Sequence, residues 1–197
     1  GKIIFESNLD LSKKMIRESL FSFIGESEQI PPFFSALKYQ GKPLYKYARE
    51  GQFIEKPARK IIIKEINDYK YSDKVCSFTV CCSKGTYIRS LARDLGDKLK
   101  CGAHMIALKR IRQHNFNLSD AVNALEISRE KIISIEAAFN NFKKIIINSE
   151  DTKKFVNGVK NIYNDNPDNL YRIANNEGIF LGIGQIKNNH LKHKQLV

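Results

Sequence analysis

The chain lacks any long apolar run. Its longest ones, such as 61–63, are far shorter than the roughly 18 residues that a transmembrane helix needs. It also lacks a visible signal peptide, an internal repeat and a low-complexity tract. Cysteine is scarce, and the adjacent pair Cys81 and Cys82 makes a poor disulfide framework with Cys76 and Cys101. These absences exclude a membrane span and a disulfide-rich secreted fold, and they favour a cytoplasmic protein with reduced thiols.

Acidic residues are fewer than basic ones: the chain has 21 Asp and Glu and 33 Lys and Arg, which gives a formal net charge of +12. Two segments hold most of the excess. Residues 38–60 contain seven basic and two acidic residues, and residues 84–112 contain eight basic and two acidic residues. Aromatic residues interleave with the first segment. This pattern favours a surface that binds RNA through phosphate contacts and base stacking, although a solvated charged face would show the same composition.

The pattern of apolar residues predicts helices and strands in the first two thirds of the chain. Helical spacing predicts a helix over 12–24, and Pro31-Pro32 then leads into a loop-like stretch from 33 to 60. Residues 60–66 and 76–82 are typical of strands. Ile88, Leu91, Leu95 and Leu99 form one stripe of a further helix. Serine caps predict two short helices over 119–128 and 128–140.

After about residue 141 the composition shifts toward a small β-rich domain. A strand over 144–148, a helix over 149–158 and a hairpin around the turn 176–178 are expected there. The sequence therefore predicts an α+β protein with two domains, 1–141 and 142–197.

Two motifs carry a resemblance to a known family. The stretches PPFFSALKYQGKPLYKYAREGQFIEKPAR (31–59) and CSKGTYIRSLARDLGDKLKCGAHMIALKRIR (82–112) resemble the bacterial tRNA pseudouridine-55 synthase family, TruB, in order and in spacing. The tail resembles the small PUA-type RNA-binding domain that ends many of these enzymes. The resemblance implies a partial pseudouridine-synthase catalytic fold with a mixed or antiparallel sheet, followed by a PUA-like domain.

The resemblance also implies a function. The family isomerises the T-loop uridine at position 55 of tRNA, so that the expected partner is the T-stem-loop and the expected enzyme class is an isomerase. The base must be flipped out of its stack before its glycosidic bond is broken and remade through carbon. The chemistry needs no metal and no organic cofactor. A non-catalytic RNA-binding or tRNA-folding module is the alternative.

Site residues follow from the motif positions that match. Tyr87 is expected to stack on the flipped base, with Gly85 allowing close backbone approach, and Arg89 is expected to pair with the catalytic aspartate. Leu108 matches an apolar pocket wall, and Lys84 is placed to bind a phosphate. Residues 35–60 resemble a mobile loop that closes over the RNA, and its expected substrate contacts are Lys38, Tyr39, Lys42 and Tyr45.

The chain departs from the family at the nucleophile, because no Gly-x-x-Asp motif occurs in it. Asp94 is a poor substitute, since it lies largely off the apolar stripe of its helix. We therefore expect the parent protein to be active and this chain alone to be inactive. The chain begins at Gly1 without an initiator Met, which suggests a piece or processed product of a longer protein. Loss of neighbouring strands would expose a sheet edge and favour self-association.

Two further interpretations were weighed for Cys101-Gly-Ala-His104. A Cys-x-x-His spacing could be half of a zinc site, but Cys81 and Cys82 point to opposite faces of a strand and supply no second pair. His104 could act as a general acid or base, yet a hydrogen-bonded histidine at a turn is the commoner situation. No metal site is therefore predicted.

The resemblance generates a first prediction about residues 35–60. We expect this segment to be cut readily by a protease in the free chain and to be protected by tRNA, because binding should close it over the T-loop. Limited proteolysis with and without tRNA, followed by mass spectrometry, measures this. Equal cleavage in both samples would contradict it.

Overall fold

The computed structural model describes residues 5–164 and 166–197. It divides the chain into two compact units, Gly1–Leu108 and Lys109–Val197. This division groups residues by their contacts, and the predicted start of a PUA-like domain at 142 stays a prediction. No helix in the described part of the chain is long and apolar enough to cross a membrane.

The described residues of the first unit form three helices and five strands. They are α1 (Lys13–Phe21), β1 (Gly25–Gln29), β2 (Lys38–Tyr39), β3 (Lys42–Pro43), α2 (Leu44–Arg49), β4 (Arg59–Ser72), β5 (Val75–Cys82) and α3 (Ile88–Lys98). The predicted strands at 60–66 and 76–82 are therefore present as β4 and β5, and the predicted striped helix is α3. Strand β1 was not predicted.

A three-stranded antiparallel sheet in the order β1-β4-β5 organises this unit. Gly25 pairs with Ile63 and Gln29 pairs with Arg59, while Cys82 pairs with Ile63 on the other side. Strand β4 is therefore central and hydrogen-bonds to both neighbours. Alternation sends Ile61 and Ile63 to one face, and an irregularity in the pairing between Ile63 and Glu65 brings Ile66 into the same buried cluster.

Helices α1 and α3 supply the apolar residues of this core. Leu20 of α1 and Leu91 and Leu95 of α3 join the three buried isoleucines in one cluster. Cys76, Phe78, Val80 and Cys82 pack against it, as the predicted alternation of β5 requires. Ser12 caps α1 by accepting from the Met15 amide. Burial within this core raises the pKa of the Cys76 thiol.

The stretch from 33 to 60 is more ordered than predicted. Strands β2 and β3 form a hairpin whose two turn residues, Gln40 and Gly41, both have positive φ. Helix α2 follows at once and buries Leu44 and Ala48. The prediction of a loop throughout is wrong here, because two buried side chains in six residues leave too weak a periodic signal.

The part of the second unit that the structure describes forms seven strands, two helices and three short 3₁₀ turns. The strands and helices are β6 (Arg112–Gln113), β7 (Phe116–Asn117), α4 (Ile135–Ala138), β8 (Lys144–Ile147), α5 (Ser149–Val156), β9 (Asn161–Ile162), β10 (Asn169–Asn175), β11 (Phe180–Lys187) and β12 (His190–Leu196). The predicted strand at 144–148, the helix at 149–158 and the hairpin are thus present as β8, α5 and β10–β11.

A five-stranded sheet in the order β8-β10-β11-β12-β9 forms the main body of this unit. Strand β8 runs parallel to β10, whereas the other neighbours are antiparallel. Its core includes Ile145, Phe155, Tyr171, Ile173 and Leu191, so that α5 covers the sheet through Phe155. The mixed sheet and the flanking helices give the whole chain the predicted α+β character.

Residues 118–140 do not form the two predicted helices. Only 3₁₀ turns and the four-residue helix α4 occur there, and the cap of α4 is Ser134. The apolar side chains of this stretch stay exposed, with Leu125 at 94% and Ile132 at 69%. Short helices are marginal unless an apolar face is packed, which accounts for the difference.

The core of the first unit generates a second prediction. Leu20→Ala should lower the free energy of unfolding by about 2–5 kcal/mol, because it leaves a cavity beneath β4. Met15→Ala on the same helix should change it by less than about 0.5 kcal/mol, because Met15 is half exposed. Urea denaturation followed by circular dichroism measures both, and equal effects would contradict the described packing.

Candidate functional site

The turn between β5 and α3 carries the residues that the motif singled out. Ser83 continues the sheet for one residue past β5: its amide donates to the carbonyl of Ile62 (2.8 Å), and its Oγ accepts from the Ile62 amide (2.9 Å). The Thr86 amide then donates to the Ser83 carbonyl (3.4 Å). The chain thus leaves the sheet with its first polar groups satisfied.

Gly85 is needed in this turn for its backbone conformation. Its φ is +87°, a region in which residues with a side chain are strained. A Cβ placed there would meet none of the described atoms within 4 Å. The left-handed conformation is a physical reason for this glycine, and close approach of the backbone to a bound base stays a prediction.

Tyr87 stands at the N-terminal cap of α3 with an extended backbone (φ −97°, ψ 111°) and a half-buried side chain. Its backbone is held by the side chain of Gln29, the last residue of β1. The Tyr87 amide donates to Gln29 Oε1 (2.8 Å), and Gln29 Nε2 donates to the Tyr87 carbonyl (3.2 Å). The side-chain amide of Gln29 thus hydrogen-bonds both the backbone amide and the backbone carbonyl of Tyr87.

Ile30, which follows Gln29 in the chain, binds the first two turns of α3. Its carbonyl accepts from Ser90 Oγ (3.0 Å) and from Arg93 Nη2 (3.1 Å). Arg93 also donates twice to Asp94 Oδ1, from Nε (2.9 Å) and Nη2 (2.7 Å). The Asp94 carboxylate is thus bound by the side chain next to it, and its exclusion as a substitute nucleophile stays a prediction.

Arg89 is exposed and turns toward the motif that begins at Pro31. Its Nη2 donates to the Phe34 carbonyl (2.8 Å), so the two quoted motifs meet at this bond. Within the described ranges, no carboxylate forms an ion pair with Arg89. Its expected pairing with a catalytic aspartate stays a prediction.

Lys84 and Leu108 are both exposed. Lys84 lines a shallow hollow together with Glu26, Lys60 and Ile62. Leu108 lies in a stretch without regular structure after α3 and is 61% exposed. Its side chain is therefore available, and its role as a pocket wall stays a prediction.

The hairpin and helix from 38 to 56 pair each tyrosine with a cation. Lys56 Nζ lies 4.8 Å from the Tyr39 ring, Lys42 Nζ lies 4.5 Å from the Tyr47 ring, and the Arg49 guanidinium lies 5.3 Å from the Tyr45 ring. The rings of Tyr39 and Tyr47 also contact each other edge to face, with their centroids 5.9 Å apart. These pairs give the segment a defined surface of alternating charge and aromatic rings.

The lysines of this surface differ in their partners. Lys42 forms an ion pair with Glu50 (2.5 Å), whereas Lys38 is exposed, with no ion pair or ring contact described for it. An unpaired, exposed ammonium group is the simplest phosphate ligand that the segment offers.

The cysteines and His104 do not converge on a metal site. Cys81 pairs with Glu65 and Cys82 with Ile63, on opposite faces of β5. Cys101 and His104 lie in the turn after α3, where the Cys101 and Gly102 amides donate to the Gly96 carbonyl. Among the described residues, no group of three or more His, Cys, Asp and Glu is arranged to hold a metal ion.

Gln29 is the residue of this site that sequence reasoning missed. It is 4% exposed and shares the inner face of β1 with Gly25 and Ser27. An inner face made of glycine, serine and glutamine lacks the apolar alternation that predicts a strand. A buried glutamine is recognisable only after the fold shows what its amide binds.

Comparisons with known proteins identify the family to which the chain is similar. Three family descriptions match the chain: "TruB family pseudouridylate synthase (N terminal domain)" over 1–88, "tRNA pseudouridylate synthase B C-terminal domain" over 89–148, and "Pseudouridine synthase II TruB, C-terminal" over 144–197. The tRNA pseudouridine synthase B of Clostridium perfringens is 39% identical over 209 residues, which cover 100% of this chain and 71% of that protein. That of Clostridium kluyveri is 38% identical over 206 residues, with the same coverage.

Solved structures share the fold at lower identity. A chain of a Cbf5-Nop10-Gar1 complex superimposes with a TM-score of 0.72 at 19% identity, over 97% of this chain and 64% of that one. A chain of an H/ACA RNP bound to a substrate RNA containing 2′-deoxyuridine gives a TM-score of 0.69 at 17% identity, over 97% and 63%. The chain thus spans just under two thirds of these structural neighbours.

Proposed function

The chain belongs to the TruB family of pseudouridylate synthases, which are isomerases, and we propose that it docks the T-stem-loop of tRNA and presents its target uridine to the turn 83–89. The substrate position is the T-loop uridine at position 55. The observation that carries the proposal is the turn itself, whose backbone is hydrogen-bonded on both sides of Tyr87 and which joins the two basic motifs through Arg89.

Tyr87 and Arg89 take separate roles in this proposal. The Tyr87 ring stacks on the extruded uracil and offsets part of the few kcal/mol that unstacking costs. The Arg89 guanidinium, bound on one side by the Phe34 carbonyl, pairs with the catalytic carboxylate and keeps it ionised. Leu108 forms an apolar wall of the uracil pocket.

The cation–aromatic surface of residues 38–56 binds the RNA around the flipped base. Lys38, Lys42 and Lys84 contact phosphates, and Tyr39 and Tyr45 offer ring faces to bases. The relatives in Clostridium are tRNA pseudouridine synthases, and one structural neighbour was solved with a substrate RNA. Both observations support RNA as the partner of this chain.

We do not expect these 197 residues alone to convert uridine to pseudouridine. The sequence contains no Gly-x-x-Asp motif, and Asp94 lies largely off the apolar stripe of its helix. We therefore propose that the chain by itself binds the T-stem-loop without converting its uridine, and that the activity requires the nucleophile of the family. A cytoplasmic location is proposed with it, in keeping with four free cysteines.

RNA binding by the full 197-residue chain is the third prediction. A fluorescent T-stem-loop should bind with an affinity that falls steeply as salt rises, because counterions are released from the phosphates. Lys38→Gln should reduce the slope of log affinity against log salt by about 1, while Lys64→Gln, an exposed change on β4, should leave it unchanged. Fluorescence anisotropy over a salt series measures both.

The same samples test catalysis. Pseudouridine should be undetectable after prolonged incubation. Its formation at a catalytic rate would mean that the nucleophile lies within the 197 residues. Absence of binding, or binding that salt does not weaken, would overturn the proposed RNA-docking function.

The edges of the first unit's sheet generate a fourth prediction. Strand β5 has β4 as its only partner among the described strands, so its outer edge presents unpaired backbone groups. We propose that the chain self-associates through such an edge. Light scattering should show an average mass that rises with concentration, and Ser77→Lys on β5 should lower it, whereas Glu65→Lys on the central strand should not. A monomer at all concentrations would contradict the proposal.

A further inference from the structure

Gln29 is a buried polar residue whose side chain hydrogen-bonds the backbone of a distant residue, Tyr87. It lies at the end of β1, is 4% exposed, and faces the side of the sheet that carries the buried isoleucines. Burying an amide without partners costs several kcal/mol, so the position is tolerable only if both ends of the amide are bound. Both ends are bound, and to the same residue.

The two hydrogen bonds between Gln29 and Tyr87 reproduce the exchange that two strand residues make in an antiparallel ladder. Oε1 accepts from the Tyr87 amide at 2.8 Å, and Nε2 donates to the Tyr87 carbonyl at 3.2 Å. Because both backbone polar groups of Tyr87 are held, its extended φ and ψ are fixed. Fixing these angles also fixes the direction in which the Tyr87 side chain leaves the backbone.

Independent contacts hold the neighbouring residue. The Ile30 carbonyl accepts from Ser90 Oγ and from Arg93 Nη2, which lie one and two turns into α3. Ser90 is itself 1% exposed. The end of β1 is therefore fastened to α3 at three points, and Gln29 alone among them binds the backbone of Tyr87.

We propose that Gln29 is the positioning residue that orients Tyr87 for stacking on the flipped uridine. This inference rests on the proposed function, because it assigns Gln29 an effect on base extrusion. Gln29 does not touch the RNA; it acts through the Tyr87 backbone. Overall affinity for the RNA comes mainly from the cation–aromatic surface of residues 38–56. Loss of the Gln29 amide should therefore reduce extrusion of the uridine while leaving the affinity for the RNA nearly unchanged.

The first measurement tests the hydrogen bond between the Tyr87 amide and Gln29 in the absence of RNA. Hydrogen exchange of the Tyr87 amide, followed by NMR, should be about tenfold faster in Gln29→Met, which has a similar size but no amide. Gln29→Glu keeps the acceptor for the Tyr87 amide but sets an oxygen against the Tyr87 carbonyl, so its exchange rate should lie between those of the unsubstituted chain and Gln29→Met. The matched control is Gln185→Met, an exposed strand position in the second unit, which should leave the Tyr87 amide unchanged. Unchanged exchange in Gln29→Met would overturn the proposal.

The second measurement reads extrusion and affinity in one titration. The probe is a T-stem-loop with 2-aminopurine beside the target uridine, whose fluorescence rises when the base stack opens. Gln29→Met should bind within about threefold of the unsubstituted chain but lose at least half of the fluorescence rise. Gln29→Glu should show a smaller loss, and Gln185→Met none.

The outcomes separate this inference from the proposed function. A loss of affinity and of fluorescence in equal proportion would mark Gln29 as a general structural residue and overturn its positioning role. If Gln29→Met fails to fold, the Gln29→Glu titration decides by the same criterion. If the unsubstituted chain does not bind the RNA, the proposed function fails, and amide exchange still decides whether Gln29 holds Tyr87.

Discussion

The junction between β5 and α3 depends on side chains that take the place of backbone partners. A chain that leaves a sheet and enters a helix within five residues has amide and carbonyl groups that neither element can satisfy. Ser83 binds both backbone groups of Ile62 in β4, with its own amide and its Oγ. Gln29 Oε1 accepts from the Tyr87 amide, and the Tyr87 carbonyl accepts from both Gln29 Nε2 and the Leu91 amide of α3. With these groups paired, Gly85 can adopt its left-handed conformation and the helix begins directly after Tyr87.

Strand β4 connects this junction with the RNA-binding segment of the proposal. It follows the cation–aromatic surface in the chain, pairs with β1 on one side and β5 on the other, and buries three isoleucines beneath α1 and α3. The order β1-β4-β5 places the ends of β1 and β5 where Gln29 reaches Tyr87. The sheet therefore brings together two motifs that lie some fifty residues apart in the chain, and Arg89 bonded to Phe34 is the direct contact between them.

The cation–aromatic pairs also explain how a basic segment folds without RNA. Lysine and arginine side chains that lie on tyrosine rings cover apolar surface while their charges stay in contact with water. The same groups remain at the surface, where phosphates and bases can replace them. The segment is thus ordered by surface pairs, and its rearrangement on RNA binding stays a prediction.

Regular repetition of apolar residues was enough to predict α3, β4 and β5, because periodic burial leaves a periodic pattern. The β10–β11 hairpin was predicted from the turn at 176–178 between two strand-like runs. The two motifs also identified the family, and the roles of Tyr87 and Arg89 in the site remain proposals. Only the tertiary structure decided the state of residues 118–140, since helices there would need a packed face that the fold does not provide. It alone disclosed Gln29, because a polar side chain becomes part of a site through the distant backbone it binds, and that partner lies 58 residues away in the chain.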